Sequence, residues 1–250
     1  MSIGKPCEVK DRIILALDTS DFEEAKSWVL ELKDYVGYFK VGMQLVTASG
    51  MSVFKELHDM GVKTYCDFKF HDIPTTVSQS CENLIKEDIN FFNIHLQGGS
   101  RMVKAATKTS RELAQKLGKE NPTILGVTLL SSFGQRTLTE ELCVDKGLEE
   151  YIMQLSQLAK TSGLDGVVAG ASEAKKLREE LGDDFIILCP ATRPTWAAVN
   201  DQVRVDTPTE AIKAGVDYMV IGRPITDAVD KVAATKLILD EISLALSLKE

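Results

Sequence analysis

Eight short apolar runs, each followed by a longer amphipathic stretch, constrain this chain more than any other feature. The runs are RIILALD (12–18), YFKVGM (38–43), KTYCDFKF (63–70), FFNIHLQG (91–98), TILGVTLL (123–130), DGVVAG (165–170), FIILCP (185–190) and YMVIGRP (218–224). Between them lie helical patterns such as FEEAKSWVLELKDYV, MSVFKELHDMG and ASEAKKLREELG, several closed by a glycine: Gly61, Gly118, Gly182 and Gly215. Strands joined by helices pair in parallel. Parallel strands covered on both faces read as near-continuous apolar runs, as these do. Eight such units in 250 residues predict one α/β domain over 1–250, a (β/α)8 TIM barrel. The alternative is a doubly wound open sheet. That fold usually carries GxGxxG after its first strand, whereas this chain reads LALDTSD there and has no GxxxxGK[ST].

The net charge of −8 argues against a protein that coats nucleic acid, yet leaves room for a local basic pocket. The five cysteines are scattered, at 7, 66, 81, 143 and 189, which fits a reducing, cytoplasmic compartment. MSIGKPCEVKDR lacks the apolar core of a signal peptide, and no run is long enough to predict a membrane span. His58, His71 and His95 make no HxxxH or HExxH spacing, so no histidine-based metal site is expected.

In a barrel the chemistry gathers at the C-terminal ends of the strands. Asp18 ends the first run, Lys40 lies on the second, and Asp67, Lys69 and then Asp72 mark the third. Thr128 and Ser131 follow on the fifth, Arg193 after the seventh, and Gly222-Arg223 on the eighth. Together they predict a ring of charge over one mouth. Asp67 and Lys69 are two apart, so a regular strand turns both inward and turns Phe68 and Phe70 to the helix layer. An interior charge costs several kcal/mol unless it is paired. Flanking acids favour the charged form of Lys69, making it a positioned ammonium held between carboxylates. The structural alternative is an ion pair that merely plugs the barrel.

VIGRPITD (220–227) has the marks of a phosphate site: a glycine, an arginine, and a proline suited to a first helical turn. Arg193 and Gln202, from the long loop after the seventh run, are expected to join it. A solvated arginine at a strand end is the alternative. His95 reads equally as a pocket or a core residue, His71 as outward-facing, Trp196 as a cap on the closing loop or as surface packing, and Glu140-Glu141 as a solvated helix start.

On these residues the chain resembles the orotidine 5′-phosphate decarboxylase family, bacterial type. The matching pieces are LALD, KVG, DFKFHDIPTTV, VTLLSS, the Arg-Pro of ATRP, DQVR, TP and IGRPI, and they span nearly the whole chain. The resemblance implies decarboxylation of orotidine monophosphate to UMP, the last step of pyrimidine synthesis, with no metal and no organic cofactor. It implies that Lys69 protonates C6 and that Asp67 lies beside the substrate carboxylate. Lys40 and Asp18 would bind the ribose, Thr128 and Ser131 the ribose and pyrimidine. Arg193, Gln202, Gly222 and Arg223 would hold the phosphate. Asp72, Ile73 and Thr76 would reach into a partner's site, making a homodimer with composite sites. The family usually has Pro-Gly-Ile-Arg-Pro where this chain has Pro190-Ala191-Thr192-Arg193-Pro194, so a local change of loop backbone is expected. Two rivals share features of the pattern. One is a magnesium-dependent sugar-phosphate decarboxylase or synthase, which shares the Asp-x-Lys-x-x-Asp array. The other is a non-catalytic nucleotide-binding barrel.

Overall fold

The computed structural model describes residues 5–197 and 206–248. In chain order the elements are β1 Ile13–Ala16, α1 Phe22–Leu32, β2 Tyr38–Gly42, α2 Met43–Ser49, α3 Ser52–Asp59, β3 Thr64–Phe70, α4 Pro74–Lys86, β4 Phe91–His95 and α5 Gly99–Leu117. They continue with β5 Thr123–Val127, α6 Leu148–Thr161, β6 Gly166–Val168, α7 Ala171–Leu181, β7 Ile186–Cys189, α8 Pro208–Ala214, β8 Tyr218–Ile221, α9 Arg223–Thr226 and α10 Lys231–Ser247. Each strand pairs in parallel with the next, and β8 pairs with β1 through Ile13 and Met219, so the sheet closes. An open doubly wound sheet has two edges; this one has none.

Most strands stop short of their apolar runs. β5 ends at Val127 and β6 at Val168, so Thr128–Leu130 and Ala169-Gly170 lie beyond the ladder. Of these extra residues, Leu129 and Leu130 line the cavity at the C-terminal mouth.

Strand parity fills the interior in layers, with alternate strands supplying each layer. Tyr38, Phe91 and Tyr218, the first residues of three even strands, form the floor. Their rings meet edge to face, with centroids 4.8 to 5.9 Å apart. The fourth even strand begins with Gly166, which adds no side chain to the floor. Ile14, Tyr65, Leu125 and Ile186 of the odd strands come next, all buried. Above them stand Lys40, Asn93, Val168 and Val220, then Ala16, Asp67, Val127 and Leu188. The lower half is thus wholly aromatic and aliphatic, apart from the hydroxyls of three tyrosines, and the upper half contains two charges and an amide. A second, larger core lies between the strands and the helices.

The helix ends follow local chemistry. Asp21 caps α1 by accepting from Glu23 N, Asp230 caps α10 by accepting from Ala233 N, and Thr207 with Glu210 forms a capping box on α8. Gly118 and Gly215 end α5 and α8 in the left-handed region, where a Cβ is unfavourable. At the opposite, N-terminal mouth the charges are locked into structure. Asp217 accepts from Arg178 and from Ile187 N, and Asp165 from Ile124 N.

Candidate active site

The upper two interior layers form the floor of a cavity of about 610 Å³ that opens at the C-terminal mouth. Its centre is a chain of alternating charges. Lys40 Nζ lies 2.8 Å from Asp18 Oδ1 and 3.3 Å from Asp67 Oδ2, and Lys69 Nζ lies 2.7 Å from Asp67 Oδ1. Burial by itself would lower the Lys40 ammonium, but Asp67 and Asp18 outweigh it and hold the pKa above its ordinary value. Burial likewise pushes Asp67 upward, and the two lysines, with their hydrogen bonds, pull it below the usual carboxylate range. Both groups are therefore charged at neutral pH. Gly42 makes room for this arrangement: a Cβ there would sit 3.3 Å from Lys40 Nζ and 3.5 Å from Asp18 Oδ1.

Lys69 reaches the cavity by a different route from the one a regular strand predicts. Cys66 pairs with Phe92 and Phe70 with Ile94, so four steps along β3 match two along β4. This bulge puts Lys69 at φ +52, in the left-handed region. Its N–H, freed from the ladder, donates to Asn93 Oδ1 at 2.8 Å. Phe68 and Phe70 do pack outward, against the helix-layer core.

Asn93 is the residue the sequence reading passed over. It is fully buried in β4, and its Nδ2 donates to Asp67 Oδ1 at 2.7 Å and to Tyr65 Oη at 2.6 Å. One side chain thus orients the acid and, through the backbone, the lysine. The signal was an amide at an inward position of an otherwise apolar strand, FFNIH.

The far side of the cavity carries Arg193 and Arg223, with Ser131 and Gly222 also in its lining. Arg193 is only 4% exposed. Gly222 also provides space, since a Cβ there would stand 3.3 Å from that of Ala16. Ala191 sits at φ +61. The expected local change of loop backbone is thus not seen as an escape from the left-handed region: the alanine occupies it, at a cost of about 1 kcal/mol.

Several predicted site residues lie elsewhere. Thr128 is buried with its hydroxyl donating to Val168 O at 2.9 Å, outside the lining of the main cavity. Asp72 is exposed and accepts from Ile73 N, so within this chain Asp67, and not an acid on each side, holds Lys69. Asp72 and Thr76 line a second groove of about 420 Å³, on whose edge Lys69 also stands. Nearby Ile73 is 66% exposed. Gln202 lies outside the described residues. His95 stacks on His71 at 5.4 Å, and its Nδ1 is buried without a hydrogen-bond partner among the described residues. Burial, then the neighbouring His71 and Lys69, push its pKa down to about 4. Glu140 pairs with Arg136 on an exposed turn, and Trp196 is exposed.

Among the described residues no three His, Cys, Asp or Glu side chains gather as a metal site would require, and no helix is long and apolar enough to cross a membrane.

Comparison with known proteins gives one consistent result. A family model described as "Orotidine 5'-phosphate decarboxylase / HUMPS family" matches residues 11–238. A protein of Geobacter sulfurreducens named orotidine 5'-phosphate decarboxylase is 42% identical over 236 residues, covering 94% of this chain and 97% of the relative. One of the same name from Heliobacterium modesticaldum is 39% identical over 240 residues, covering 96% and 99%. The crystal structure of orotidine 5'-phosphate decarboxylase from Lactobacillus acidophilus superposes with a TM-score of 0.82 at 36% identity, covering 93% of this chain and 99% of that one.

Proposed function

The chain belongs to the orotidine 5'-phosphate decarboxylase / HUMPS family, and from that premise we propose that it decarboxylates orotidine monophosphate to UMP with its own side chains alone. The observation that carries this reading is the Lys69 ammonium. It is held 2.7 Å from Asp67 in a cavity that two arginines line as well. A nucleotide gripped by its phosphate at Arg193 and Arg223 turns its base toward Lys69. Asp18 and Lys40 have hydroxyl-binding chemistry for the ribose, and Ser131 can reach the base or sugar.

As the bond from C6 to the carboxylate breaks, its electron pair stays on C6 and carbon dioxide departs. The resulting anion lies in the ring plane, where the ring cannot delocalise it. Stabilisation must come from fixed charge, and an ammonium already oriented by Asp67 supplies it without reorganisation. The same Nζ then gives its proton to C6. Asp67 is kept ionised by Lys40 on one side and Lys69 on the other, and Asn93 keeps it aimed. Phosphate binding, remote from C6, helps hold the base in this position.

The sugar-phosphate reading has Lys40 against it. Its ammonium stands between Asp18 and Asp67, where a divalent cation would need to bind. The same proposal includes a homodimer with composite sites and a cytoplasmic location. Lys69 stands on the edge of both the cavity and the outer groove, so a second copy docked on that groove could bring Asp72, Ile73 and Thr76 toward the first copy's lysine. All five cysteines are free thiols, as a reducing compartment allows.

Loss of the ultraviolet absorbance of orotidine monophosphate tests the activity directly. Turnover is expected to survive excess EDTA. Lys69→Ala should abolish turnover while UMP still binds in titration calorimetry; undiminished turnover in that variant refutes the role given to Lys69.

A further inference from the structure

We propose that Asp206 is a positioning residue for Arg193, and through it for the substrate phosphate; the inference rests on the functional reading above. α7 has a vacancy at its start. Its N-cap is Gly170, which offers no side chain to the free N–H groups of the first turn. No larger residue fits there without a shift, because a Cβ on Gly170 would stand 2.5 Å from Glu173 Oε2. The cap comes from across the mouth instead: Asp206 Oδ2 accepts from Ala171 N at 3.0 Å. The Cys189 thiol, at the end of β7, points at the same oxygen from 3.9 Å.

The other end of Asp206 holds the loop. Its main-chain oxygen accepts from Arg193 N at 2.9 Å. Asp206 is itself fixed from behind, because Thr207 begins α8 with a capping box whose Glu210 accepts from Thr207 N at 2.9 Å. One residue therefore ties the start of α7, the end of β7 and the backbone of Arg193 to the anchored start of α8. Removing its carboxylate cuts the tie to the start of α7 and leaves the main-chain bond to Arg193 N in place. Arg193 then samples more positions, and its grip on an anion weakens before the distant Lys69 notices.

The test compares steady-state decarboxylation of orotidine monophosphate by the wild type, Asp206→Ala, Asp206→Asn, Arg193→Ala and the double variant. Asp206→Ala is expected to raise KM about tenfold with kcat changed less than threefold, the loss of one charge-assisted bond at a helix start. Asp206→Asn keeps an acceptor for Ala171 N and should recover most of that loss. In the Arg193→Ala background, Asp206→Ala should add less than a twofold effect, since the residue through which it acts is already gone. If Asp206→Ala does not fold, Asp206→Met takes its place, filling the volume without an acceptor. An unchanged KM, an equal fall in kcat, or full additivity with Arg193→Ala overturns the proposal. A wild type that leaves orotidine monophosphate intact overturns the functional reading and this inference with it; an active wild type with an unmoved Asp206 variant overturns only the latter.

Discussion

Replacing Asn93 by alanine strips three hydrogen bonds from the reacting end of β3 at once. Asp67 Oδ1 loses its amide donor at 2.7 Å, Tyr65 Oη its partner at 2.6 Å, and the Lys69 N–H its acceptor at 2.8 Å. A neutral bond is worth about 1 kcal/mol net and one to a charged group about 1.5–3 kcal/mol. Water entering the space left by the amide recovers part of this, so a stability loss of roughly 2–4 kcal/mol is expected. The effect on turnover has a different origin. Lys69 is held at φ +52, and Asn93 is what satisfies its N–H there. Without that acceptor the bulge can relax, and a displacement of the ammonium by the order of 1 Å costs about 100-fold in rate. The assay is kcat and KM for orotidine monophosphate, beside urea unfolding of the same protein. The loss should fall mainly on kcat, because Asn93 lies among the interior layers and away from the arginines that would take the phosphate. Asn93→Asp provides a second arm. It keeps an acceptor for Lys69 N but places a carboxylate against Asp67, and should lower kcat at least as much. A variant of either kind that unfolds earlier in urea yet turns over within threefold of wild type refutes the positioning argument, leaving Asn93 a purely structural residue.

Three further outcomes follow from the geometry. His95 titrates near 4 when folded and near 6.5 when unfolded, so between those values the unfolded chain binds the extra proton. Stability contributed by neutral His95 is complete above pH 6.5 and is lost as pH falls toward 4, by about 2–3 kcal/mol. Thermal melts at pH 7 and pH 4.5 should show a smaller acid-induced drop in His95→Asn, and an equal drop counts against this assignment. Ala191→Gly relieves about 1 kcal/mol of left-handed strain and gives back roughly half in unfolded-chain entropy, so Tm should rise by about 1–2 °C, while Ala191→Val should lower it. The opposite order would mean that the strain is not present in solution. If sites are composite, inactive Lys69→Ala and inactive Asp72→Ala chains, mixed and refolded, should recover about a quarter of wild-type activity, because half the dimers are mixed and each has one intact site. No recovery from an equimolar mixture that sedimentation shows to be dimeric argues for self-contained sites.

The barrel was legible because its cause is local and repeated. Eight apolar runs separated by amphipathic stretches can bury their faces only by parallel pairing under a helix layer. Period-two alternation also told that Asp67 on β3 faces inward, and Lys40 was singled out as a charge on an apolar strand. Thr128 shows the limit of that reasoning. A hydroxyl just past β5 reads as a ligand contact, but the chain bends there and the neighbouring Val168 carbonyl takes the bond. Asp72 is two residues beyond β3, and where the chain goes after a strand depends on the helix that follows it. Pro74 starts α4 and leaves Asp72 facing outward.

By itself, then, the order of residues determined the closed sheet, the inward charges and the end of the molecule at which they meet, since these depend on periodicities within one strand or helix. Tertiary structure alone decided the bulge that turns Lys69 into the left-handed region, the burial of Asn93 between Tyr65, Asp67 and Lys69, and the capping of α7 by an aspartate 35 residues away. Each of these brings together groups from different strands or loops. Their hydrogen bonds are chosen by which donors remain unsatisfied once the barrel has closed, and no local pattern carries that information.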